Sequence, residues 1–403
     1  MLDRLALASL LLVAIHAVDA WLVQPVGGAD PGLRLGRLAV LAASFLVGLA
    51  WRRHGARPVV ALAVGIVASV VGGAIVAPKA AQGLGGNELT GLAALAGGLF
   101  LAGLGLARLV GRRTWWKPAL GAVLALLVAQ FVLFPAVLAV YATNPPRPEL
   151  GLRTPAGVGL AAEDVTVRSA DGVRLAAWYV RSGNGAAVLL LPGSGSTRDD
   201  LLGHAAMLAG HGYGVLLLDA RGHGGSEGEP MEFGWGGERD VRAAVGYLAS
   251  RPDVDPGRIG VLGQSMGGEQ ALTAAATDER IAAVVTEGAE VITTADASAD
   301  PGTVGGWPSV PMLWVSRVVS DLLADASPPP PHSESIAAIA PRPVLLIAGQ
   351  DPAELASNRF FLEAGGPSVE LWHLDDTPHT AGLRVHPDEY ERRVVEFFDA
   401  ALG

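Results

Sequence analysis

The sequence has no cysteine. That excludes a disulfide framework, a thiolate nucleophile and any sulfur-based metal site, while leaving the redox compartment open. Positive charge is also short, with 29 Lys and Arg against 39 Asp and Glu, a net charge of −10. Phosphate backbones are bound by basic surfaces, so no nucleic-acid partner is expected. Aromatic residues make up only 6%, yet half of the 403 residues are hydrophobic and mean hydropathy is +0.39.

The apolar excess lies at one end. Up to about Tyr141, long apolar runs alternate with short polar breaks; from about Asn144 the charge density is that of an ordinary soluble domain. Asn144-Pro145-Pro146-Arg147-Pro148 reads as a stiff, helix-ending linker. The expected organisation is an apolar helical domain over 1–143, a linker over 144–160 and a second domain over 161–403.

Five runs come close to the roughly 20 apolar residues that span a bilayer. They are about Leu5–Val23, Leu35–Trp51, Pro58–Val76, Leu89–Val110 and Leu120–Tyr141. The first has the basic start of a signal peptide, but four more runs follow, so a retained helix is expected. Arg52, Arg53 and Arg57 follow the second run, and Arg108, Arg112, Arg113 and Lys117 flank the end of the fourth. The other loops offer only Arg34, Arg37 and Lys79. Placing the richer loops inside predicts a multi-pass cell-membrane protein embedded in the lipid bilayer, with the second domain extracytoplasmic. His16 and Asp19 are ionisable groups within the first run, though Asp19 beside Trp21 suits the outer interface. Glycine pairs such as Gly72-Gly73 and Gly97-Gly98 suit close helix packing.

The second domain reads as alternating strands and helices. Alternating segments flank Asp171-Gly172, a hairpin signal. Continuous apolar strands follow at Ala187–Leu191, Gly214–Leu218, Ile259–Leu262, Ala282–Thr286, Pro343–Ile347 and Val369–His373. Helical stretches lie at about Arg198–Ala209, Glu238–Ser250 and Pro387–Leu402. This pattern predicts an α/β fold, a mostly parallel sheet covered on both faces. Ligands in such sheets bind beyond the C-terminal ends of the strands.

Gly263-Gln264-Ser265-Met266-Gly267 fits G-x-S-x-G, and so does Gly224-Gly225-Ser226-Glu227-Gly228. Context separates them. Ser265 directly follows a strand and directly precedes the helix-forming Gln270–Ala276, the strand–turn–helix that exposes a nucleophile above a sheet. Ser226 sits in a glycine-rich loop with no helix after it and reads as structural. A serine nucleophile needs a base and an acid that orients the base, in the chain order Ser, acid, His. His379, in the loop between the last strand and the final helix, is the expected base; His386 is the reserve. His332 lies too early and His373 at a strand end. Asp351, after the strand Pro343–Ile347, is the expected acid, with Glu354 the alternative. The oxyanion donors should be the backbone N–H groups of Met266 and, from the turn after Ala187–Leu191, of Ser194.

These residues resemble the α/β-hydrolase superfamily, in particular its dienelactone-hydrolase-like and prolyl-oligopeptidase-like enzymes. The likeness covers about Ala161 to the C-terminus. It rests on Leu191–Gly195, Asp219-Ala220-Arg221-Gly222-His223-Gly224-Gly225-Ser226, Gly263–Gly267, Gly349–Asp351 and Pro378-His379-Thr380. Pro192 stands where many members carry histidine, and Gly349 to Asp351 is one residue short of the usual G-x-x-D. The resemblance implies hydrolysis of ester, thioester or amide bonds without a metal or organic cofactor. The segment Val291–Ser327, where such folds often carry a lid, holds Trp307, Pro311, Met312, Leu313, Trp314 and Val315, which suit a small-molecule or lipid-like acyl substrate. Two other classes are open: a peptidase, and a silent binding or sensing domain on a membrane scaffold. A transporter with a hydrolase-like regulatory domain would need several paired charges in its spans.

Overall fold

The computed structural model describes residues 127–403, which divide into two units at Ala139/Val140. The first four apolar runs, with His16 and Asp19, and the start of the fifth lie outside the described residues. The rest of the fifth run forms a π-helical stretch, Ala129–Leu133, continued by helix α1 (Phe134–Thr143). No helix among the described residues is long and apolar enough to cross a membrane.

Beyond the linker, β1 (Ala162–Arg168) and β2 (Arg174–Val180) pair antiparallel around Asp171-Gly172, the hairpin read from the sequence. Then follow β3 (Ala187–Leu191), α2 (Leu202–Gly210), β4 (Gly214–Leu218), α3 (Gly237–Ala249), β5 (Ile259–Gln264), α4 (Met266–Ala275) and β6 (Ile281–Glu287). Two helices, α5 (Thr294–Ala299) and α6 (Ser309–Leu323), make an insertion ahead of α7 (His332–Ile339). The chain ends with β7 (Val344–Ala348), α8 (Pro352–Gly365), β8 (Val369–His373), α9 (Gly382–Val385) and α10 (Pro387–Leu402).

The eight strands form one sheet, ordered β1-β2-β4-β3-β5-β6-β7-β8 and parallel from β4 to β8. Every residue of β3, β4, β5 and β7 is buried, which is why they read as continuous apolar runs. Side chains alternate between two cores. Leu189, Leu191, Val261 and Leu346 face α3, α4, α7 and α8. Val188, Leu190, Leu262 and Ile347 face α2 and α10, where Tyr390, Val394 and Phe398 are buried. Each such side chain contributes roughly 1.5–3 kcal/mol of burial energy. The strand order reverses at β3, with β4 on one side and β5 on the other. The C-terminal ends of β3 and β5 are therefore the switch point at which doubly wound sheets take ligands.

Candidate active site

Ser265 stands at that point, between the last residue of β5 and the first of α4, with φ 49° and ψ −121°. A non-glycine residue there is strained by about 1–3 kcal/mol and is held only by its surroundings. Its N–H donates to the Glu287 carbonyl (2.8 Å), and its own carbonyl accepts from Gly268 and Glu269 at the start of α4. A Cβ on Gly267 would strike the Leu191 and Pro192 carbonyls, so the second glycine of the pattern is what lets the elbow close on the turn after β3. Gly193 in that turn lies in ordinary packing range, since a Cβ on it would lie 3.4 Å from the Ser265 Cβ. Of the expected oxyanion pair, Met266 follows Ser265 directly and Ser194 follows Gly193, the residue that packs on Ser265. The Met266 N–H belongs to the first turn of α4, where amides lack intrahelical acceptors. The Ser194 hydroxyl donates to Glu232 Oε2 (2.6 Å).

His379 lies in the loop between β8 and α9, as expected from chain order. Its partner differs from the expected one. Nδ1 is 2.6 Å from Oε2 of Glu354, whose Oε1 accepts from the Gly349 N–H at 2.5 Å. Asp351 does not reach the imidazole. It is the N-cap of α8, accepting from the amides of Ala353 (2.8 Å) and Glu354 (3.3 Å), and it is exposed. The reason is where the helix begins. With Pro352 opening α8, the Asp351 side chain turns to the free amides, while Glu354, in the first turn, points back at the end of β7 and is fully buried. The Gln350 N–H donates to the Thr377 carbonyl (2.8 Å), fastening the loop after β7 to the one that carries His379.

The bond from Glu354 holds the His379 pKa above the usual histidine value against partial desolvation, with further help from Glu290 and Glu287. Its side chain is 44% exposed, so one edge is open to a substrate. Gly288 backs the ring. It takes φ +75°, and a Cβ there would lie 2.7 Å from Cε1 of His379.

Several carboxylates converge on this edge. Glu287, buried at the end of β6, accepts from Gly382 N–H (2.6 Å), Gln264 Nε2 (3.0 Å) and Tyr390 OH (3.0 Å). Burial raises its pKa, but His204, Gln264 and Gly382 outweigh that and hold it below the ordinary glutamate value. Glu269, on α4, is pushed up to about 8 by burial and by Glu290. Burial likewise raises Glu290. Arg317 of α6 is lowered to about 10 by burial; its Nε donates to the Ile292 carbonyl (2.6 Å) and its guanidinium lies 3.5 Å from the centre of the Phe233 ring. Glu290, Glu354 and His379 bring one ligand atom each to within 4.8 Å of one another, a spacing a cation could use. A cation there would compete with the His379–Glu354 bond.

The remaining sequence candidates fall elsewhere. Ser226 is buried in the loop after β4, donating to the Asp219 carbonyl (2.8 Å) and accepting from the Ala176 N–H (2.9 Å). Asp219 in turn forms a buried ion pair with Arg198. His332 is buried at the start of α7, its pKa lowered to about 4 by burial. His373 is exposed at the end of β8, and His386 caps α10 while bonding Asp376 (2.7 Å). In the expected lid, Leu313 packs on the core, whereas Trp314, Val318 and Leu322 form an exposed stripe along α6, with exposed Trp307 just ahead of the helix. Glu232, Glu269, Glu287, Gly288, Glu290 and Arg317 were not singled out by the sequence. The pair Glu287-Gly288 carried a usable signal, since it directly ends a core strand on the side where ligands bind.

A parallel sheet with a serine elbow at its switch point, and a carboxylate-bonded histidine after the last strand, is the arrangement of the α/β-hydrolase fold. The chain belongs to the peptidase S15 family, described as X-Pro dipeptidyl-peptidase, whose model matches residues 138–354, more than half of the chain. Among solved structures, an esterase of Pyrococcus furiosus is similar with a TM-score of 0.54 and 27% identity, covering 65% of this chain and 99% of that one. An uncharacterized protein of Mycobacterium tuberculosis is 43% identical over 110 residues, 27% of this chain and 38% of its own length. The alpha/beta hydrolase domain-containing protein WAV2 of Arabidopsis thaliana is 36% identical over 119 residues, 28% of this chain and 38% of its own length. The matched stretch thus spans less than two-fifths of these two relatives.

Proposed function

We propose that the protein is a membrane-anchored serine hydrolase that cleaves ester, thioester or related acyl bonds through an acyl-enzyme. The observation that carries this reading is the Glu354–His379 bond of 2.6 Å, together with a serine held at positive φ in the elbow after β5. Ser265 Oγ attacks the acyl carbon while His379 takes its proton, and Glu354 keeps the proton-bearing Nδ1 in place and stabilises the imidazolium. The Met266 and Ser194 amides hold the oxyanion. His379 then returns the proton to the leaving group, and water repeats the sequence to release the acid. Each step uses side chains or amides of this chain. The similar archaeal esterase and the apolar α6 stripe favour small or lipid-like acyl substrates.

The test is an active-site serine probe, a fluorophosphonate, on the wild type and on Ser265→Ala. Ser265-dependent labelling is expected; its absence would overturn the enzymatic reading and leave a binding or sensing role. The S15 family match favours a second reading, peptide-bond cleavage. Rates on p-nitrophenyl esters against Xaa-Pro p-nitroanilides separate the two. The apolar runs before Tyr141 support a multi-pass cell-membrane location with the catalytic domain extracytoplasmic. Protease digestion of that domain in intact spheroplasts tests the orientation.

A further inference from the structure

Among the described residues, α6 presents an apolar face to the outside. Its inner side is fixed: Leu313 packs on the core, Ser316 and Ser320 are buried, and Arg317 Nε donates to the Ile292 carbonyl (2.6 Å). Ile292 is two residues from Glu290, whose carboxylate lies within 4.8 Å of ligand atoms of Glu354 and His379. The helix is thus seated on the segment that borders the expected base, and that seating decides which side chains point away. Trp314, Val318 and Leu322, four residues apart, share one face and are 58%, 39% and 78% exposed. Leu323 extends that face at the end of the helix, and Trp307 stands exposed just ahead of it.

Single exposed apolar side chains are ordinary, whereas a continuous apolar face marks an interaction surface. Its charge indicates the partner. Between Asp300 and Pro331 the one basic residue is Arg317, and its guanidinium is turned inward, 3.5 Å from the centre of the Phe233 ring. The charges left outside are Asp321 and Asp325, both exposed. Tryptophan and aliphatic side chains flanked by carboxylates, with no outward cation, match a neutral lipid interface and would be repelled by an anionic one. The sequence also keeps such an interface within reach. Four apolar runs of near-spanning length precede residue 127, and residues 144–161, all that separates α1 from β1, reach at most about 60 Å when extended.

Resting on the membrane-anchored reading, we propose that the outer face of α6 docks on the zwitterionic lipid surface of the bilayer that holds the chain's own N-terminal runs. Trp314, Val318 and Leu322 are the side chains that enter the lipid.

The absence of cysteine lets single reporters be placed without background. Full-length Val318→Cys, Leu322→Cys and, as a control on the exposed side of α10, Glu396→Cys are labelled with an environment-sensitive fluorophore and reconstituted in phosphatidylcholine vesicles. Phosphatidylcholine with a nitroxide on its acyl chain should quench the two α6 labels about twofold or more beyond the control, and iodide on both sides of the bilayer should quench the control beyond them. Labels on α6 that stay open to iodide overturn the docking. So do labels shielded from both quenchers, which would mean that protein, an apolar segment of this chain or a second copy, covers the face. Nitroxide quenching that strengthens when phosphatidylglycerol replaces part of the phosphatidylcholine overturns the choice of a neutral surface. Flotation separates the two levels. Protein that floats with the vesicles without lipid quenching at α6 sinks this inference alone; protein that does not float sinks the membrane-anchored reading and this inference with it.

Discussion

Glu354 and His379 are joined at 2.6 Å, while Asp351, one helical turn earlier, is turned away to cap α8. Glu354→Gln preserves shape but removes the charge that fixes the imidazole tautomer. A fall in kcat of about 10³–10⁴-fold is expected. Asp351→Ala should leave kcat within a few-fold and lower stability by about 1 kcal/mol, the worth of an N-cap. Steady-state kinetics and thermal unfolding on both variants decide the matter; the reverse ranking of rates would restore Asp351 as the acid.

The raised His379 pKa sets the pH dependence. The base must be neutral to accept a proton, so kcat/KM should rise with pH and level off above an inflection higher than the ordinary histidine value of about 6.5. Removing the Glu354 charge should move that inflection down. Because the folded pKa exceeds the unfolded one, the pair's contribution to stability is present below about pH 6.5 and is lost as pH rises through the folded value. A wild-type profile with its inflection below 6 would contradict this account.

Gly288→Ala sets a methyl against the ring of His379 at a backbone angle that disfavours side chains. Stability should drop by about 1–3 kcal/mol. A larger share of the effect should fall on kcat, because the imidazole is displaced. Comparing the loss of thermal stability with the loss of turnover measures that division.

Glu287 is a stability residue by geometry. Replacing it by Ala strands the Gly382 amide and the Tyr390 hydroxyl in the interior, a loss on the order of 3 kcal/mol. Its folded pKa lies below the usual value, so its contribution is present above about pH 4.3 and disappears as pH falls through the folded pKa. Denaturant midpoints of wild type and Glu287→Gln should therefore converge in acid. Parallel curves down to pH 3 would refute the assignment.

Ser226 carries the other G-x-S-x-G match and bonds only to backbone. Ser226→Ala should keep fluorophosphonate labelling intact and lose about 1–2 kcal/mol of stability. Loss of labelling in a folded Ser226→Ala protein would show that context was misread.

The sheet was legible because β3, β4, β5 and β7 are buried throughout, and a fully buried strand must be apolar at every position. Ser265 was legible because an elbow needs a strand before it and a helix after it. His379 followed from chain order. The carboxylate that bonds His379 was harder to read, since the choice between Asp351 and Glu354 turns on which residue opens α8. Asp351-Pro352 held the clue, as Asp is a favoured N-cap and Pro a favoured first helical residue. The carboxylates Glu269, Glu287 and Glu290 were not legible. Local sequence assigns a lone glutamate to the surface, and their burial depends on donors from distant segments, such as Gly382 and Tyr390 for Glu287.

Glu287 touches both halves of the proposed machinery. Its carbonyl receives the Ser265 amide, and its carboxylate receives the Gly382 amide three residues beyond His379. Nucleophile and base are thus referenced to a single residue on a central strand. The two share one mount, so a substitution at Glu287 would disturb both ends of the site at once.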